Sequence, residues 1–254
     1  SDSFWFNAVE AEVYAMATCI MALLFWLGFK WEEDIDNERG NKWLVLISFI
    51  VGLSFGVHFM GLLVIPAIGM IYFFKKHPSP NFKNFLLANV LSVAILLFIF
   101  KLLLPSTLAL FGYLEVFFVN SLGLPFDSGT IFTAILLITF FIFSLSYTRK
   151  KNLYNTNTFL LCVMFIFIGF SSWLMIPIRS NANTVINENS PSDARALLAY
   201  YNLEQYPDTH LFYGPMFSDA YAGQDENNPY KDDKPKYERN DKTQKYFCLL
   251  TFLK

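Results

Sequence analysis

Charge is what this sequence has least of. Asp, Glu, Lys and Arg together make up 16% of its 254 residues, where a soluble domain of this size carries roughly 25% to cover its surface. A soluble globular domain is excluded on that ground. Cysteine is scarce too: Cys19, Cys162 and Cys248 stand too far apart for a metal cluster, and the first two lie inside apolar runs, which reads as packing. Neither a G-x-x-x-x-G-K-[ST] phosphate loop nor H-E-x-x-H nor C-x-x-C occurs, so P-loop and zinc-site chemistry have no motif support. No internal repeat is visible. The net charge of −2 points to no partner, because the charges are confined to a few loops, and no nucleic-acid partner is expected.

What fills the chain instead is apolar: 54% hydrophobic residues, 29 of them Phe, and a mean hydropathy of +0.38. This is the composition of a membrane protein. It begins Ser1-Asp2-Ser3, and its first span is under way by Val13, so the chain reads as an internal piece with spans missing upstream.

Six apolar segments are expected to cross the bilayer: Val13 to Lys30, Trp43 to Gly56, Gly61 to Phe74, Phe85 to Leu104, Ile131 to Tyr147 and Phe159 to Ile178. One helix over Trp43 to Phe74 would be roughly 48 Å long, too long for a hydrocarbon core of about 30 Å. Gly52, Gly56, His58, Gly61 and Pro66 stand in its middle, so it splits into two short spans that turn near Gly56-Val57-His58. Charge supports the count. Basic residues gather at Lys30 to Lys42, Lys75 to Lys83 and Arg149 to Lys151, and six crossings put all three loops on one side, as the positive-inside tendency requires. Both ends of the chain then face away from the cytoplasm.

Pro105 is expected to end the fourth span. The following segment, Ser106 to Gly123, has an apolar stripe interrupted by Glu115 and Asn120, and reads as a helix lying in the outer interface. After Arg179 the composition turns polar, with a short helix over Asp193 to Tyr201 capped by Ser192 or Asp193. Gly223 to Lys245 reads as an exposed loop or hairpin, and the apolar ending from Phe247 reads as a truncation artefact. The fold class is thus all-α: a polytopic membrane bundle over residues 1–178, with an outer interfacial helix, followed by a polar extracytoplasmic segment over 179–254.

On this topology Glu10, Glu12, His58, Glu115, Asp127 and Arg179 come out on the outer side, where ionisable groups at membrane depth default to a functional role. Each has a plainer reading. Glu10 and Glu12 point about 200° apart on a helix, so only one can face a given pocket, and either can simply complement a helix dipole. His58 at a turn is more often hydrogen-bonded structure than a base. Glu115 and Asp127 read as solvated, and Asn187-Glu188-Asn189 as a loop. Arg179 can snorkel, yet on the outer side a phosphate or carboxylate partner explains it better.

Several stretches together, FWFNAVEAEVYAM, GLSFGVHFMGLLVIPA, FVNSLGLPFDSG, MIPIRSNANTVINENSPSD and LEQY, resemble one family. It is the family of multi-spanning membrane proteins, long of unknown function, that includes the vertebrate endoplasmic-reticulum O-mannosyltransferase acting on plexin-type domains, together with bacterial relatives. The resemblance covers roughly residues 1 to 246. It implies a class C glycosyltransferase that moves a sugar, mannose among the options, from a polyprenyl-phosphate to a protein or glycan hydroxyl on the lumenal or periplasmic face. The main catalytic acidic residue of the first outer loop would then lie upstream of Ser1. Within the chain, Glu10 or Glu12 is expected to line the site, with His58 and Arg179 near the donor phosphate, and Asn120, Asn187 and Glu188 as further substrate contacts. Such transfer needs a carboxylate to take the acceptor proton and cations to stabilise the departing phosphate. No metal ligand set and no cofactor beyond the lipid-linked donor is expected. Leu203 stands where relatives carry Arg, which removes a cation from that motif. The bacterial inner membrane, active face outward, is preferred to the endoplasmic reticulum. The rival reading is a transporter or non-catalytic membrane protein, suggested by the broken span around Gly56 to Pro66.

Overall fold

The structure is a computed structural model that describes residues 2–9, 13–37, 39–182, 184–206 and 236–249. Ten α-helices and one hairpin make up the described residues: α1 (Asp2–Val9), α2 (Tyr14–Asp34), α3 (Asn41–Ser54), α4 (Val64–Lys76), α5 (Phe82–Leu97), α6 (Leu104–Asn120), α7 (Ser128–Lys150), α8 (Tyr154–Phe170), α9 (Met175–Ser180), α10 (Ala194–Tyr201), β1 (Lys236–Asn240) and β2 (Lys245–Leu249). Five helical stretches are long and apolar enough to cross a membrane: Tyr14–Asp34, Phe59–Lys76, Phe82–Asn120, Ser128–Lys150 and Tyr154–Ser180. With the shorter apolar helix Asn41–Ser54 these correspond to the six expected segments, and the all-α polytopic architecture holds.

The chain divides into two compact units, residues 1–104 with 136–175, and residues 105–135 with 176–254. The boundary falls elsewhere than the sequence suggests, because α7 and the stretch from α8 to α9 each contribute to both units.

In the first unit α2 packs on α3 and α4, α3 lies along α8, and α4 pairs with α5. In lipid no hydrophobic force drives helices together, so tight contacts depend on small residues that let backbones approach. The α3–α8 contact shows this. A Cβ on Gly52 would fall 2.1 Å from the Ile166 carbonyl oxygen, and one on Gly169 would fall 2.2 Å from that of Phe49. Ile47, Val51, Ile166 and Phe170 are buried there. The break expected after Gly56 is present: α3 stops at Ser54, whose carbonyl accepts the His58 N–H at 2.7 Å. A short 3₁₀ turn over Phe59–Leu63 then leads into α4. Pro66 sits in the first turn of α4, where a missing N–H costs nothing.

Pro105 does not end a helix. The chain is helical from Phe82 to Asn120, 39 residues, about 58 Å at 1.5 Å per residue. Directly before the proline, Phe98–Leu103 widens into a π turn in which Leu104 N–H reaches the Ile99 carbonyl. A widened turn accommodates a residue that lacks a donor and crowds the preceding carbonyls.

In the second unit α6 meets α10 where Gly112 faces Leu198; a Cβ there would lie 2.7 Å from Leu198 Cδ2. Asp193, rather than Ser192, caps α10, its Oδ1 accepting Ala196 N–H at 2.9 Å. β1 and β2 pair antiparallel, with Lys236 opposite Leu249 and Asn240 opposite Lys245. The apolar turn in composition at Phe247 is therefore part of a strand, not a truncation artefact. Most of Gly223 to Lys245 lies outside the described residues.

Candidate functional site

Glu115 is fully buried, not solvated. Its carboxylate accepts the Asp127 N–H at 2.6 Å, the Thr130 N–H at 2.8 Å and the Thr130 hydroxyl at 2.9 Å. These donors belong to the first turn of α7, so Glu115 closes that helix's N-terminus from a neighbouring helix and complements its dipole. Asp127 reaches this geometry with φ at 68°, a left-handed conformation that Asp tolerates better than most residues.

Asn120 likewise serves the architecture. Its Nδ2 donates to the Tyr246 carbonyl at 2.8 Å, and its Oδ1 accepts the Tyr246 N–H at 2.9 Å, so one amide side chain pins β2 to the end of α6. Beside it a cavity of about 510 Å³ is lined by Tyr113, Phe117, Asn120, Arg195, Tyr237 and Tyr246. Arg195 is buried and forms a two-pronged ion pair with Glu204, at 3.2 and 3.0 Å, while its guanidinium lies 4.7 Å from the Tyr237 ring centre. Burial raises the Tyr246 phenol above its ordinary range. Asn187 donates to the Ser180 carbonyl at 3.1 Å. Glu188 accepts the Tyr206 hydroxyl at 3.0 Å, and this carboxylate raises the phenol's pKa.

His58, in the first unit, caps the 3₁₀ turn: its Nδ1 accepts the Met60 N–H at 3.2 Å, and its ring lies 5.7 Å from that of Tyr14. Accepting at Nδ1 leaves Nε2 as the protonated nitrogen of the neutral ring. Arg179, in the second unit, is exposed in the last turn of α9, with no side-chain partner among the described residues. Glu10 and Glu12 lie outside the described residues. The expected gathering of Glu10, Glu12, His58 and Arg179 about one cavity therefore stands neither supported nor opposed.

The stretch Gly52-Leu53-Ser54-Phe55-Gly56 spells G-x-S-x-G, the pattern of a hydrolase nucleophile elbow. The surroundings do not match it. Ser54 is fully buried at the end of a helix, and its hydroxyl donates to the Val51 carbonyl at 2.7 Å. Among the described residues no group of three or more His, Cys, Asp or Glu is placed to hold a metal ion.

Sequence reasoning missed Glu115 as a buried cap and the Arg195–Glu204 pair. A signal was present for the first: a lone carboxylate within an apolar helical run, ahead of a second helix start at Ser128. For the second, Glu204 belongs to the LEQY motif while its partner stands nine positions earlier, a spacing that no local pattern encodes.

Composition and fold define an integral membrane protein of the all-α, polytopic kind. Residues 1–81 match the family model described as protein O-mannosyl-transferase TMEM260 N-terminal domain. The resemblance carried by the sequence motifs is thereby shown for that part of the chain, and it supports a glycosyltransferase relationship. Residues 207–251 match a second model, described as a family of unknown function. No curated protein matches the chain, and no solved structure does.

Proposed function

We propose that this protein is part of a class C membrane glycosyltransferase that moves a sugar, mannose in the first instance, from a polyprenyl-phosphate to a hydroxyl of a protein or glycan. The observation that carries the proposal is the match of residues 1–81 to the O-mannosyl-transferase N-terminal domain, on a chain built of membrane-length helices. The stretch around Glu10 and Glu12 lies within this match. One of these carboxylates takes the acceptor proton or orients the acceptor, and Arg179 and His58 contact the donor phosphate, since a guanidinium grips phosphate oxygens bidentately. The reaction proceeds on the side opposite the basic loops, the outer face of a bacterial inner membrane. Nothing in the reading calls for a resident metal.

The transporter alternative has its interrupted helix between Ser54 and Val64. Yet the polar groups at that break are spent locally, Ser54 on the Val51 carbonyl and His58 on the Met60 N–H. A transport site needs polar groups left free for cargo. The catalytic reading is therefore preferred.

The test is an assay of membranes containing the whole gene product, supplied with radiolabelled mannosyl-phosphoryl-polyprenol and an acceptor protein extract. Transfer that falls at least about tenfold in Glu10→Gln or Glu12→Gln, a modest share of the 10²–10⁴ range of acid–base catalysis, supports the proposal. Absence of transfer from any polyprenyl-phosphate sugar, with the protein correctly inserted, overturns it.

A further inference from the structure

The first unit contains a cavity of about 570 Å³ among α2, α3, α4 and α5. That volume lies within the roughly 300–1,000 Å³ of ligand sites. Its walls are aliphatic, with Ile47, Ile68, Leu91 and Ile95 among them. Two serines also line it, but both hydroxyls are spent on their own helices: Ser48 on the Leu44 carbonyl at 2.9 Å and Ser92 on the Ala88 carbonyl at 2.7 Å. Ordered water needs two to four polar partners, and these walls provide none. Hydrocarbon is the guest that suits them. Leu91 and Ile95 are also exposed, so the cavity opens sideways, along a flank that bilayer lipid can reach.

The polar lining residues sit at one end. Trp31 comes from the last third of α2, His77 follows α4 directly, and Asn84 lies in the first turn of α5. This is the end at which the two basic loops meet, joined by ion pairs of Lys75 with Glu32 and Lys76 with Asp36. Trp31 is 8% exposed and stacked on Tyr72, with ring centres 5.4 Å apart. Its indole N–H has no partner among the described residues. The other groups here add donors. Asn81 caps α5 through the Lys83 N–H at 2.9 Å, which places Lys83 and Asn84 on a positive helix start.

The charge balance decides what the mouth attracts. Glu32, Glu33, Asp34 and Asp36 are each answered by a lysine: Lys75, Lys30, Lys42 and Lys76. Lys83, exposed and adjacent to Asn84, has no acidic partner among the described residues. An apolar slot that ends in an unpaired indole donor, an amide, an ammonium and a helix start complements one kind of molecule in a bilayer: an acyl chain whose head carries negative charge.

We propose that this cavity is a binding site for an anionic glycerophospholipid of the leaflet on the basic-loop side, one acyl chain between α3, α4 and α5 and the phosphate at Trp31, Asn84 and Lys83. Basic pockets between membrane helices on that side are physically suited to such head groups. The site does not depend on the sugar-transfer reading, which concerns the opposite face, and either can fail while the other stands.

Native mass spectrometry of the whole gene product in mild detergent tests it, after exchange into equimolar phosphatidylglycerol and phosphatidylcholine. One phosphatidylglycerol should be retained in preference to phosphatidylcholine by about tenfold. Lys83→Gln, at an exposed position that leaves the fold intact, should cut that preference about fivefold, as expected for one basic group near a head group. Trp31→Phe should lower retention while keeping the stack on Tyr72, and Arg149→Gln, in the other basic loop, should leave it unchanged. Equal retention of both lipids overturns the proposal. So does a preference untouched by Lys83→Gln and Asn84→Ala together, or displacement of phosphatidylglycerol by an equimolar polyprenyl phosphate. Retention of neither lipid, with the cavity filled by protein, overturns it as well.

Discussion

Glu115 holds Thr130 through two hydrogen bonds at once, from the backbone N–H at 2.8 Å and from the hydroxyl at 2.9 Å. A third, from Asp127, completes a carboxylate surrounded by donors. Removing it leaves three donors without an acceptor in a fully buried place. Each orphaned group costs about 1–3 kcal/mol, so Glu115→Ala should destabilise the second unit by at least about 3 kcal/mol. Glu115→Gln keeps one oxygen and should lose roughly half as much. Thermal unfolding in detergent reads both, and a wild-type transition for Glu115→Ala would show that the donors find other partners.

The same residue shows what the sequence discloses and what it hides. The break at Gly56 to Pro66 was legible because its causes are local: glycines, a turn histidine and a proline within one stretch that is too long for a single span. Pro105 misled for the complementary reason. A proline predicts a helix end only if the preceding turn stays α-helical, and the π turn over Phe98–Leu103 cannot be read from apolar residues that fit either geometry. Asn120 looked like a substrate contact because a polar side chain in an apolar stripe calls for a partner. That partner, the Tyr246 backbone, lies far along the chain. Residue type thus disclosed the need for a partner but not whether the partner is ligand or protein.

The α3–α8 contact rests on two glycines. A methyl group at Gly52 would lie 2.1 Å from a backbone carbonyl oxygen of α8, which cannot be relieved by a rotamer change. Gly52→Ala should therefore push the helices apart and cost about 1–3 kcal/mol, the range for overpacked cores. Gly123, with φ at 66° and nothing near its Cβ position, is the control: there Ala pays only for backbone strain, about 1 kcal/mol. Equal effects of the two substitutions on thermal unfolding would contradict a contact-specific role for Gly52.

Arg195 and Glu204 form a buried pair, with side chains 4% and 13% exposed. Truncating one partner of such a pair strands a charge and typically costs 3–5 kcal/mol, whereas replacing both can be nearly neutral. Glu204→Ala should be the more damaging change, and adding Arg195→Leu to it should restore part of the lost stability. Because Glu204 belongs to the LEQY motif, the double variant separates structure from catalysis. Restored stability with normal sugar transfer assigns the motif's glutamate to folding.

The basic-loop end has a pH signature of defined sign. A hydrogen bond from Lys76 is the main cause that holds the Asp36 carboxyl below its ordinary value. A group whose pKa is depressed on folding adds stability above its unfolded value, near 3.8, and that contribution is lost as pH falls through the folded value. Asp36→Asn should thus lower stability slightly at pH 7 and leave it unchanged in strong acid. The effect should shrink in high salt, since the pair is exposed and screened. A salt-independent difference would point to a role other than this ion pair.

Arg179 offers the sharpest separation of structure from function. It is exposed in the last turn of α9, where a cation is mildly favoured by the helix dipole, and it has no side-chain partner among the described residues. Its removal should leave the fold almost untouched, since exposed substitutions without such a partner usually stay within about 0.5 kcal/mol. If it grips the donor phosphate, Arg179→Ala should lower sugar transfer by at least about tenfold, a loss of roughly 1.4 kcal/mol in transition-state stabilisation. Arg179→Lys should recover only part of that, because a single ammonium lacks the planar fork that meets two phosphate oxygens. The KM for the lipid-linked donor should rise in both variants while acceptor KM stays fixed. A stable, correctly inserted Arg179→Ala protein with wild-type transfer would remove Arg179 from the site and leave the phosphate to cations elsewhere.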